Sequence, residues 1–172
     1  MTYTIWQVIA NTPWWVFLVF ILIVRVGLLA TKARTIPVKN LFIIPAIFFV
    51  MTLVNMYFFV SFTLLNLSIW LSTLLLGLFA GWLQFRSLNI KALKNEAKLV
   101  VPGTWSLLVI LLTIFVIKYY AGYQFVIDPE VLKQPKYVYG LLTLYGLFTG
   151  LFIGRLLYSL RCLKYGPYHH LS

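Results

Sequence analysis

The sequence predicts an all-α integral membrane protein of five transmembrane helices, with the N-terminus outside and the C-terminus in the cytoplasm. Three observations lead there. Of 172 residues, 62% are hydrophobic and only 10% charged, whereas soluble domains use roughly 45–50% apolar and about 25% charged residues. The apolar residues fall in runs close to the roughly 20 residues needed to cross a hydrocarbon core of about 30 Å. The basic residues gather in alternate links between those runs.

The first span is expected at about 13–30, opening with Trp14 and Trp15, whose indoles suit the membrane interface. The start of the chain, Met1 to Pro13, has no basic stretch, and no small-residue cleavage site follows. This first run therefore reads as a retained helix and not as a signal peptide. The second span covers about 41–59 after Pro37-Val38-Lys39-Asn40, and the third about 64–85, ending at Arg86. Only Val60 to Thr63 separates these two, so they form an antiparallel hairpin.

A cytoplasmic link, 87–101, leads to Pro102-Gly103-Thr104-Trp105 and a fourth span at about 105–123. An outer link, 124–136, leads to the fifth span at about 137–157. All five spans belong to a single membrane domain covering residues 1–172. Backbone amides find no water in the bilayer core, so the runs must be helices or strands of a closed barrel. Unbroken apolar runs without period-two alternation exclude the barrel.

In the cytoplasmic link, Leu88, Ile90 and Ala92 alternate as in a strand, while Ile90, Leu93 and Ala97 also fit helical spacing. Leu99 and Val101 continue the alternation, which favours a short β-hairpin turning at Lys94-Asn95-Glu96. In the outer link, Asp128-Pro129-Glu130 supplies a capping carboxylate, a first-turn proline and a first-turn acid. A short surface helix from Pro129 to about Lys133 is expected.

Orientation follows from the basic residues. Eleven (Arg25, Lys32, Arg34, Lys39, Arg86, Lys91, Lys94, Lys98, Arg155, Arg161 and Lys164) fall on one side, against Lys118, Lys133 and Lys136 on the other. The positive-inside rule places the eleven in the cytoplasm. Lys118 stands beside Tyr119, Tyr120 and Tyr123, a snorkelling lysine in an outer aromatic belt. The net charge of +11 is thus spent on topology and on anionic headgroups. It does not make a nucleic-acid surface, which needs cations gathered on one soluble face.

Several chemistries find no residues. The single Cys162 excludes an intramolecular disulfide and a CxxC pair. His169 and His170 are adjacent, away from helical metal spacing and without an accompanying acid cluster, so no metal site is expected. The acids Glu96, Asp128 and Glu130 all lie in links, which disfavours a carboxylate relay for ion-coupled transport. Ser72, Thr73, Thr143 and Thr149 have no histidine placed to activate them and are expected to bond to backbone or to neighbouring helices. Asn55 and Asn66 are expected to bond across the outer turn. No catalytic residue and no cofactor is implied.

What remains is a packing surface and a set of cations. Gly146, Gly150 and Gly154 form a small-xxx-small ridge, and Gly77 and Gly81 on the third span offer a matching surface. The ridge packs either within the chain or as a homodimer seam. Gly77-Leu78-Phe79-Ala80-Gly81 and Gly146-Leu147-Phe148-Thr149-Gly150 echo each other, and each is followed at the same offset by an arginine. This suggests a duplicated two-helix unit in which spans two and three match four and five. Arg25, Arg86 and Arg155 close the outward-to-inward spans; they either snorkel to phosphates or share a pocket for an anion or lipid headgroup.

At Asn11-Thr12-Pro13-Trp14-Trp15-Val16, at Pro102-Gly103-Thr104-Trp105 and at the Gly146 to Arg155 ridge, the chain resembles small multi-pass bacterial inner-membrane proteins of a family of unknown function. The resemblance covers nearly the whole chain. It implies a bacterial cytoplasmic membrane and brings no functional residues with it. The expected role is non-enzymatic: helix packing and contacts with anionic lipids, a second copy or another membrane protein, as an accessory or assembly subunit. The alternative is a small transporter or flippase-like protein for an anionic solute or lipid, using the cytoplasmic-side arginines.

Overall fold

The computed structural model describes residues 12–59, 63–93, 98–128, 130, 134–166 and 168–169. Among these are five α-helices and four short strands: α1 (Trp14–Ala30), β1 (Arg34–Pro37), α2 (Val38–Phe59), α3 (Leu64–Arg86), β2 (Lys91–Leu93), β3 (Lys98–Val101), α4 (Ser106–Ile127), α5 (Pro135–Tyr165) and β4 (Tyr168–His169). Leu64–Arg86, Ser106–Gln124 and Pro135–Tyr165 are long and apolar enough to cross a membrane. Trp14–Ala30 and Val38–Val54 are shorter apolar stretches. The proposed turn at Lys94-Asn95-Glu96, the surface helix at Pro129–Lys133, the Asn55 side chain and His170 lie outside the described residues.

The chain forms two compact units, one from residues 1–33 and 103–132 and one from 34–102 and 133–172. In the first, α1 and α4 run antiparallel. Phe20 meets Phe115 with ring centroids 5.2 Å apart, and the Thr12 and Tyr119 hydroxyls bond at 2.7 Å. At the opposite end the Thr104 N–H donates to the Ala30 carbonyl at 2.9 Å. Gly103 makes that approach possible, because a Cβ there would overlap the Thr31 carbonyl.

In the second unit α3 runs parallel to α5 and α2 antiparallel to it. Thr63 caps α3 by accepting the Asn66 N–H at 3.3 Å. Proline at the first turn suits the start of α5, and Gly166, at φ 79°, ends it in a backbone region that other residues avoid. Near one end of the helices Met56, Trp70 and Leu142 form a buried cluster. Halfway along, Phe48 stacks on Phe152 at 4.8 Å and the Thr52 and Thr149 hydroxyls bond at 3.0 Å.

At the other end the four strands form one sheet, in the order β1-β3-β2-β4. β3 pairs antiparallel with both β1 and β2, and β4 adds a parallel edge. Ile36, Leu99 and Ala92 stand in one row of the register. With Ile90 and Val101 they face Phe85, Leu88, Tyr158 and Cys162, so the sheet lies over the helix ends. Thr35 and Lys91, in the next row, point the other way and are exposed.

The hairpin strands expected in the 87–101 link are therefore present, but within a larger sheet. Arg34–Pro37 lies in the link between the first two apolar runs. It becomes a strand because Ile36 finds Leu99 opposite it. The same core explains why α5 continues to Tyr165 and does not stop near Leu157: Cys162 is buried beneath the sheet, and partly buried Tyr158 and Leu163 pack beside it.

Candidate functional site

The five ridge glycines all lie in the contact between α3 and α5. A Cβ on Gly77 would overlap the Leu147 carbonyl oxygen, and one on Gly81 that of Leu151. Reciprocally, Gly150 abuts the carbonyl of Leu74 and Gly154 that of Leu78. The hydrogen that each Cβ would replace points at a carbonyl oxygen of the other helix, a weak Cα–H···O contact worth about 0.5–1 kcal/mol. Gly146 meets the Thr73 hydroxyl and the Trp70 carbonyl. Thr73 is thus a third small position on α3, so that 73, 77 and 81 face 146, 150 and 154.

This pairing sits one helical turn away from the sequence echo. The echo aligns Gly77 with Gly146, whereas the contact makes Gly77 equivalent to Gly150 and Gly81 to Gly154. The shift brings Thr73 level with Gly146, giving three small pairs where the echo register would give two and oppose Thr73 with Leu142. Thr73 turns its own hydroxyl back to the Ile69 and Trp70 carbonyls, so a polar atom sits inside the seam without being left unmet.

The three arginines have three different surroundings. Arg25 is exposed on α1, in the other unit. Arg86 is exposed at the end of α3. Arg155 is buried, with Nε 3.0 Å and Nη2 2.5 Å from the Gln84 side-chain oxygen. The rings of Phe85 and Phe152 cover its guanidinium at 5.2 and 5.6 Å. Its backbone carbonyl accepts the Ser159 hydroxyl at 2.8 Å. Arg155 therefore acts as a clamp between α5 and α3, and Gln84, its acceptor, was not singled out in the sequence.

Beside that clamp lies a second cationic group. Trp82 of α3 stands edge-on to Tyr158 of α5 at 5.4 Å, and the Arg161 guanidinium covers the Trp82 ring at 5.5 Å. Arg86 follows Trp82 by one turn on the same face of α3, so it stands beside the ring that Arg161 covers. Both arginines are exposed, and neither has an acidic partner among the described residues. The pairing follows from the packing register, which the sequence does not supply: Gly81 opposite Gly154 puts 85 opposite 158, one residue before Arg86.

Other candidates have structural surroundings. Ser72 donates to the Ile69 carbonyl at 3.0 Å, and Thr149 meets Thr52. Among the described residues there is no group of three His, Cys, Asp or Glu side chains that could hold a metal ion. Comparison with known protein families, with curated proteins and with solved structures finds no match.

Proposed function

We propose that the chain is a non-enzymatic protein of a bacterial inner membrane, crossing it five times with the N-terminus outside, and that it works through helix packing and contacts with lipids or a partner as an accessory or assembly subunit. The observation that carries this reading is the α3/α5 seam. Apolar burial gives helices in lipid little reason to associate, whereas close backbone approach at small residues does. The outer faces agree with a lipid solvent: Leu75, Leu76 and Phe79 on α3 are all exposed. So does the direction of each helix within its unit, which matches the alternation demanded by the eleven-to-three split of basic residues.

Residues 124–136 and the start of the chain then face outward, and the sheet faces the cytoplasm. The ridge glycines and Arg155 are engaged by contacts within the chain, between α3 and α5. The test is cysteine accessibility after Cys162→Ser. In right-side-out cells, Asp128→Cys should react with a membrane-impermeant maleimide, while Asn89→Cys should react only after permeabilisation. The reverse pattern would overturn the orientation, and release of the protein by alkaline carbonate would overturn the membrane-spanning reading itself.

A further inference from the structure

We infer that Arg86 and Arg161, brought together beside Trp82, bind the phosphate of an anionic phospholipid. The inference rests on the membrane-spanning reading. It differs from a general attraction between basic loops and headgroups, because it names one place where two guanidiniums share an anion.

The height of the site follows from the length of α5. Its 31 residues rise about 46 Å at 1.5 Å each, well beyond a hydrocarbon core of about 30 Å. The sheet over the last turns shows where the excess lies: Tyr158, Cys162 and Leu163 pack into a polar-topped sheet, an environment outside the acyl chains. Arg161 and Arg86 then stand at the level of lipid phosphates.

The charge at this place calls for an anion. Two exposed guanidiniums flank the Trp82 ring, Arg161 over its face and Arg86 one turn further along α3, with no acid on them among the described residues. Like charges held close repel, and a phosphate between them relieves the repulsion while accepting charge-assisted hydrogen bonds from both. Arginine suits this better than lysine, because its planar fork matches a phosphate oxygen pair. The Arg161 guanidinium is also held, resting on the Trp82 ring.

A lipid is favoured over a free phosphate by what lies beneath. Leu76, Phe79, Leu83 and Arg86 follow one face of α3 at three- and four-residue spacing, and all are exposed. On α5, exposed Leu157 lies one turn below Arg161. A headgroup phosphate on the arginines would therefore lay its acyl chain along an apolar stripe, which a soluble phosphate cannot use.

The test is native mass spectrometry of the detergent-purified full chain, titrated with phosphatidylglycerol and with phosphatidylcholine of the same acyl chains. The wild type should retain phosphatidylglycerol about tenfold more tightly or better. Arg86→Gln and Arg161→Gln should each reduce that preference and the double variant should abolish it. Arg86→Lys with Arg161→Lys should restore part of it, and Arg25→Gln should leave it unchanged. An undiminished preference in the double glutamine variant would overturn the site, as would a loss as large with Arg25→Gln. Displacement of the lipid by millimolar inorganic phosphate would overturn the assignment to a lipid. Circular dichroism of each variant separates lost binding from lost folding. Because retention is measured in detergent, it does not depend on orientation, so failure of the topology test and failure here remain separate results.

Discussion

The α3/α5 seam and the α1/α4 seam both join apolar helices, yet they hold by different means. Along α3/α5, five glycines let the backbones approach until carbonyl oxygens lie where side chains would begin. Along α1/α4 there is one such glycine, Gly27, and what it meets is mainly the Leu108 side chain. The remaining ties there are an aromatic contact at Phe20 and Phe115, a hydroxyl pair at one end and a backbone bond at the other. The helix directions give a reason for the difference. Antiparallel dipoles attract slightly, whereas the parallel dipoles of α3 and α5 repel. A parallel pair must offset that repulsion, and close packing with a fixed register is one way to do so.

The comparison breaks most sharply at Gly150. Gly150→Leu would place a branched side chain against the Leu74 carbonyl and the Leu78 amide, backbone atoms that cannot rotate away. The expected loss is at or above the upper end of the about 1–3 kcal/mol typical of overpacking. Gly27→Leu should cost less, because the nearest atom it meets, Leu108 Cδ1, can turn away, and only the Leu108 Cβ and Cα at 2.9 and 3.0 Å are fixed. Unfolding in mixed detergent micelles, followed by circular dichroism, should rank Gly150→Leu well below Gly27→Leu, and equal losses would remove the distinction drawn between the seams.

The Arg155 clamp ranks next. Gln84→Leu removes the oxygen that accepts from both Nε and Nη2 of the buried Arg155, a lost charge-assisted bond worth about 1.5–3 kcal/mol. Arg155→Met, which removes the charge together with its need for an acceptor, should cost less than Gln84→Leu. The same unfolding assay decides, and the opposite order would mean that the cation, and not its satisfaction, holds the helices.

Much of this seam was legible in the sequence, because four-residue spacing of glycines puts them on one helix face whatever the surroundings. Its register was not. The packing sets Gly77 level with Gly150, where Thr73 adds a third small residue beside Gly146. Gln84 was equally silent, since a single polar residue near a helix end has no pattern, and only the register brings it to Arg155. The sheet was half legible. Alternation from Leu88 to Val101 betrays the hairpin, but Arg34-Thr35-Ile36-Pro37 is too short to alternate and acquires its structure from Leu99, more than sixty positions along the chain. Arg86 was recognised as cationic, while its partner Arg161 was counted only toward topology, because sequence shows which side a charge is on but not its neighbour.

A smaller effect is expected at the threonine pair. Thr52 donates to the Phe48 carbonyl at 2.8 Å, so the hydrogen between the two hydroxyls comes from Thr149. Thr149→Val removes that donor and leaves no donor unmet, for a loss near the about 0.6 kcal/mol average for hydrogen bonds between membrane helices. Thr52→Val instead leaves the buried Thr149 hydroxyl without its acceptor, so a larger loss is expected, toward the about 1–3 kcal/mol of an unmet buried donor. A loss of several kcal/mol in Thr149→Val would show that the pair fixes the α2/α5 register.

The smallest effects should come from glycines outside both seams. Gly122 on α4 and Gly140 on α5 have nothing within 4 Å of an added Cβ. Alanine there meets no backbone and restricts only the unfolded chain, so Gly122→Ala and Gly140→Ala should be neutral or stabilise by up to about 1 kcal/mol. Gly140 is the sharper case, because it lies on α5 only six residues before Gly146. If Gly140→Ala is tolerated and Gly146→Ala is not, the sensitivity of α5 follows contact with α3 and not glycine as such. Equal sensitivity at both positions would instead mean that α5 needs flexibility along its length, and the carbonyl contacts would no longer explain why its glycines are there.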